Sequence, residues 1–187
     1  MGAVIHTVDN VTTYTATLTI PDKVYPETFT YLTNTPVNSD FSKNLKYLMQ
    51  EAKTNFSKLK GDKIATGEKE SYYYKSTYTM PGTGYCELED LWGVMDFDAY
   101  FGSRIGSEQA AKLAFNDLVK KVKDALGKNY MFTQSELTNS NTFTFYQKDN
   151  FTDSEDMVEV ELFKGNDGTY DVILIVVGAP DDDDGWF

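Results

Sequence analysis

The chain of 187 residues has one histidine, His6, and one cysteine, Cys86. Those two shortages remove most nucleophilic chemistry. A Ser-His-Asp or Cys-His system would have to run through His6, which lies near the N-terminus and in no motif. A single cysteine excludes an internal disulfide framework. Together the two residues are too few for a His/Cys zinc site. Cys86 falls on the inward phase of a strand-like stretch, where a free cysteine acts as a small hydrophobe. The glycine-rich phosphate-binding and dinucleotide-binding patterns are absent as well. No cofactor and no metal is therefore expected, and the reading is of a non-enzyme.

Long apolar runs are also missing. Nowhere do 18 apolar residues follow one another, so no membrane span is expected. If a leader once preceded Met1, the sequence fits a secreted or periplasmic protein, and otherwise a cytoplasmic one.

Positive charge is scarce. Seventeen Lys and Arg stand against twenty-nine Asp and Glu, a net of −12. The imbalance is concentrated in residues 151–187, which hold eleven acids and a single base, Lys164. Such a balance argues against nucleic acid, whose phosphates need a basic patch. It is compatible with a basic protein partner. Asp181–Asp184, followed by Gly185-Trp186-Phe187, reads as a solvated tail, since a bare acidic run does not impose a calcium-binding geometry.

What is present points to an α+β fold. Thirteen Tyr and twelve Phe, with many Thr, favour strands. In Ser107–Asn129, Ala111, Phe115, Leu118, Val122 and Leu126 form one apolar stripe, which predicts a helix. Ser107 is placed to cap its start and Gly127 to end it. Phe41–Lys63 repeats the build, with Leu45, Leu48, Ala52, Phe56 and Leu59 as stripe, Asp40 as cap and Gly61 as terminator.

Strand-like segments follow each helix. After the first come Tyr72–Thr79, Tyr85–Leu91 and Asp96–Phe101, the last two joined across Trp92-Gly93. After the second come Asn141–Gln147, Met157–Phe163 and Tyr170–Val177, with a turn over residues 164–168. Ile64–Glu70 reads as a polar link and Tyr130–Leu137 as ambiguous, a link or a short strand. Thr13–Ile20 alternates as a strand, and Pro21–Ser39 reads as an extended connector. The expectation is a tandem αβββ repeat, with Gly61 matching Gly127 and Gly93 matching Gly165. Two helices would cover one face of an antiparallel sheet and leave the other open. The segments are then 1–40 for the N-terminal strand and connector, 41–106 and 107–180 for the units, and 181–187 for the tail. In topology this resembles the β-lactamase inhibitor protein family and, more loosely, saddle-shaped TATA-binding folds. The disulfides of the former are impossible with Cys86 alone, and the basic underside of the latter is missing. The resemblance implies a fold and no function.

Strand phase names the candidate surface. It would display Glu87, Glu89, Asp96, Asp98, Glu159 and Glu161, with Tyr73, Tyr85, Tyr100 and Tyr146 among them. Tyrosines among acids suit an interface, because Tyr buries much area at little entropic cost. The favoured reading is a non-enzymatic, bacterial protein-binding module that uses this face. The alternatives are an immunity or inhibitor-type protein for a basic toxin, a carboxylate-dependent glycan hydrolase built on Asp96 and Asp98, and a structural domain of a secreted assembly.

Overall fold

The structure is a computed structural model and describes residues 2–8, 11–20, 23–29, 40–66, 71–147 and 157–179. The Asp181–Phe187 tail lies outside them. The chain forms two compact units, Met1–Ser39 and Asp40–Phe187. In the first, β1 (Gly2–Val8), β2 (Val11–Ile20) and β3 (Lys23–Phe29) make an antiparallel sheet in sequence order. The Pro21–Ser39 connector is therefore corrected in part. Pro26 lies within β3, an edge strand, the place in a sheet where proline is tolerated.

The second unit is α+β. Helix α1 (Phe41–Ala52) leads into β4 (Lys60–Thr66), β5 (Tyr72–Ser76), β6 (Tyr85–Leu91) and β7 (Val94–Ile105). Helix α2 (Glu108–Leu126) and a 3-10 turn, Gly127–Asn129, lead into β8 (Tyr130–Glu136), β9 (Ser140–Gln147), β10 (Val158–Lys164) and β11 (Tyr170–Val177). The eight strands form one antiparallel sheet in the order β4-β5-β6-β7-β11-β10-β9-β8. Each helix thus precedes four strands where three were expected. The residues read as polar or ambiguous links are the edge strands β4 and β8. Edge strands bury little, so their side chains lack the alternation that marks an inner strand. β8 is exposed at nearly every position.

Helix α2 follows its expected course. Ser107 Oγ accepts from Ala110 N at 3.4 Å, and Gly127 ends the helix at φ 72°. Ala111, Phe115, Leu118 and Val122 are buried, and Leu126 is half-buried. They meet β7, β10 and β11 on one sheet face, where Phe97, Val158, Val160 and Leu174 have no measurable or almost no exposure.

Helix α1 departs from expectation. It ends at Ala52, nine residues before Gly61, and Asp40 sits at its start in a left-handed conformation without a side-chain cap. The reason lies across the fold. Asn55, 3% exposed and at φ 48°, donates from Nδ2 to Gly93 O and accepts at Oδ1 from Met95 N, both at 2.8 Å. This clasp on the β6–β7 hairpin substitutes two tertiary hydrogen bonds, one buried and one part-buried, for another helical turn. Phe56 and Leu59 are still buried, but from a turn rather than a helix. Gly178 completes the joint: a Cβ there would lie 2.5 Å from Met95 O and 2.6 Å from Asn55 Oδ1.

The hairpins came out close to expectation. β6 and β7 meet through Trp92-Gly93, with φ of 55° and 87°, as a two-residue hairpin turn requires. The strand that is apolar on both sides, β11, lies mid-sheet between β7 and β10 and joins the two halves. Glycine roles in the halves differ, however. Gly61 is a residue of β4 packed on the backbone of Lys75, whereas Gly127 ends a helix.

Candidate functional site

The sheet face away from the helices is laid out by strand register. One row across the strands runs Lys75, Glu87, Asp98, Ile175, Glu159 and Thr144. Beside it on one flank lie Tyr73, Glu89, Asp96 and Val177. On the other lie Tyr85, Tyr100, Ile173 and Glu161. Nine of the ten expected residues are therefore in adjoining rows. The tenth, Tyr146, is on β9 one step further along the same phase as Thr144 and pairs with Met131 at the β8 edge.

Hydroxyls hold several of these acids in place. Tyr73 donates to Glu89 Oε1 at 2.7 Å. Tyr100 and Tyr85 donate to the two oxygens of Glu87, at 2.9 and 2.8 Å. Thr144 donates to Glu159 Oε1 at 2.8 Å. Hydrogen bonds to an ionised acceptor are the stronger kind, so the carboxylates are pre-positioned. Burial, then the neighbouring carboxylate, pushes the Tyr73 and Tyr85 hydroxyls up to about 12, and Tyr100 is raised further still. All three stay protonated as donors.

One expectation about this face is overturned. Asp98 was expected to face solvent, yet it is only 7% exposed. Its row-mates Glu87 and Ile175 flank it, and Tyr100 stands two residues along on the same side. Asp96, Glu87, Glu89, Tyr73, Tyr100, Glu159 and Glu161 are half-buried, and only Tyr85 is exposed, at 43%. Oδ1 of Asp98 and Oδ1 of Asp96 have no hydrogen-bond partner. Burial raises both carboxyls, with the charges of neighbouring acids adding to it. Asp96 is pushed up to about 7, and Asp98 well above the carboxylate range. Glu161 is raised as well, mainly by burial.

Among the described residues, no ion pair reaches these acids. Lys75, exposed at the flank, is the basic residue in the rows. No group of three acids is arranged to hold a metal ion among the described residues. Cys86 lies under the opposite face, 6% exposed and within 3.2 Å of Thr83 Oγ1, and burial pushes its thiol up.

Strand phase alone missed the apolar strip through the acids. Ile173, Ile175 and Val177 of β11 lie between the carboxylates of β7 and those of β10. Asp171, on the same phase, accepts from the Arg104 N–H at 2.7 Å. The alternation Asp171, Ile173, Ile175, Val177 was the available signal.

The chain matches none of the protein-family models, curated proteins or solved structures with which it was compared. Among the described residues no helix is long and apolar enough to cross a membrane.

Proposed function

We propose that the helix-free sheet face is a docking surface for a cationic protein partner. The observation that carries this reading is Asp98, a buried carboxyl with an unpartnered oxygen set in rows of further acids. Such an arrangement is unfavourable in the free chain, because a buried unpaired polar group costs about 1–3 kcal/mol. A positively charged surface laid over the rows relieves it. Pinned acids and rigid tyrosines lower the ordering cost of that contact. An inhibitor of a basic toxin is one form this would take.

Fluorescence anisotropy with a labelled arginine-rich peptide and a length-matched neutral peptide tests the reading. Reversing Glu87 and Glu159 to Lys should slow association and flatten its salt dependence. Tyr100→Ala should speed dissociation by about one to two orders of magnitude if it is a hot spot. Equal binding of the neutral peptide, or kinetics indifferent to all three changes, would remove the proposal.

Asp96 favours a second reading, a carboxylate-dependent glycan hydrolase, because a carboxyl near 7 suits a proton donor. Release of reducing sugar from a mixed glycan panel, abolished by Asp96→Asn, is the result it requires.

We also infer that the two helix-led runs descend from one duplicated unit. Matching element order and a sheet order that mirrors about the β7–β11 seam support this. The different positions of Gly61 and Gly127 weigh on the other side. Relatives whose two halves align strand for strand would support it, and relatives in which they never do would end it.

A further inference from the structure

We propose that the Asp96–Asp98 pair on β7 is a receptor site for a guanidinium group, so that the partner docks by seating an arginine side chain there. The inference rests on the docking reading and adds the chemistry of the anchor. Three observations select a guanidinium over other cations.

First, the two acids stand two residues apart on one strand face, roughly 7 Å between Cα atoms, and each keeps one oxygen unpartnered. A planar fork with five N–H donors can serve two carboxylates together, which the compact ammonium of lysine does less well. Second, the walls are apolar on one side. Ile175 pairs across from Asp98, and Val177 from Asp96. The faces of a guanidinium are weakly hydrated and tolerate such walls, whereas an ammonium keeps a tight water shell. Third, the neighbouring acids of β6 are held by tyrosines. Glu87 accepts from Tyr85 and Tyr100 at both oxygens, and Glu89 accepts from Tyr73 at one. The buried oxygens of the cluster that lack a partner, Oδ1 of Asp96 and Oδ1 of Asp98, are both on β7.

Asp98 provides the observation that an acidic cluster alone would lack. It is buried to more than nine-tenths, its Oδ1 is unpartnered, and it sits on the phase that faces the other acids. Asp96, half-buried, is the member of the pair that an incoming group meets first. Asp98, the more deeply buried of the two, is the second acceptor.

The test is a titration of the full chain, labelled at its side-chain carboxyl carbons, with L-argininamide and separately with L-lysinamide, followed by NMR. Argininamide should give saturable shifts centred on Asp96 and Asp98. Lysinamide should be weaker by at least about tenfold, and Asp96→Asn should weaken argininamide by a similar factor, as loss of one partner of an enclosed charge pair does. Asp98→Asn should do the same. If that variant fails to fold, the half-buried Asp96 decides the matter. Shifts of equal size at Asp117 and Asp124 of α2, lysinamide matching argininamide, or indifference to Asp96→Asn would each overturn the site. Arginine-rich peptide binding that depends on Glu87 and Glu159, without any argininamide effect, would sink this inference alone. Argininamide shifts at Asp96 with no such peptide binding would sink the docking reading instead.

Discussion

The two faces of the eight-stranded sheet are made by the same strands with opposite phase, yet they resolve their burial differently. Beneath the helices, Leu88, Phe97, Val160 and Leu174 have no exposed surface, and each apolar side chain gains by the exclusion of water. On the other face the alternate residues include six acids, and Asp98 is almost as deeply enclosed as the apolar side chains beneath the helices. Enclosure there is unfavourable. The contrast teaches that burial and stabilisation are separate properties. Packing fixes the first, and the chemistry of the enclosed atom fixes the second.

The largest effects should come from the apolar face. Phe97→Ala should cost about 3–5 kcal/mol and Leu118→Ala about 2–5 kcal/mol in denaturant titration, since each leaves a cavity among filled neighbours. A loss under about 0.5 kcal/mol at either site would place it on the surface and undo the comparison.

Asn55→Ala comes next, at the clasp where α1 gives way to the hairpin. It strands the buried Met95 N–H and puts alanine at φ 48°, together about 2–4 kcal/mol. Asn55→Gly keeps only the hydrogen-bond part of that loss. Equal stability of the two variants would show that the backbone angle carries no strain.

The acidic face should answer with the opposite sign. Asp98→Asn should stabilise the chain by about 1–3 kcal/mol at pH 8, because it removes a buried group that must otherwise ionise or take up a proton. At pH 4 the gain should nearly vanish. The wild type should echo this through Asp96, whose carboxyl is near 3.8 when unfolded and about 7 when folded. A raised folded value means that its stabilising protonation is complete below about 4 and lost as pH climbs through 7. Melting temperature should therefore fall between those limits. A rise over the same window would mean that Asp96 is paired in the native state.

The smallest effect is expected at Glu159→Gln, within about 0.5 kcal/mol. Glutamine retains an oxygen to accept from Thr144, and the lost charge is half-buried only. A larger destabilisation would make that acid structural and separate it from the docking rows.

Much of this was legible in local pattern. The α2 stripe, its Ser107 cap, the Trp92-Gly93 turn and the membership of the acidic face all follow from periods of 3.6 and 2 and from turn chemistry. These depend on neighbours in sequence, which the sequence specifies outright. What it did not yield depends on neighbours in space. Helix α1 ends early because Asn55 finds the β6–β7 hairpin, some forty residues away. β4 and β8 are strands because a sheet edge accepts them, although their own residues show little alternation. Asp98 is enclosed at a register position between Glu87 of β6 and Ile175 of β11, which pairing across strands sets. Phase names the face a side chain takes, but only the packed sheet decides how much water reaches it.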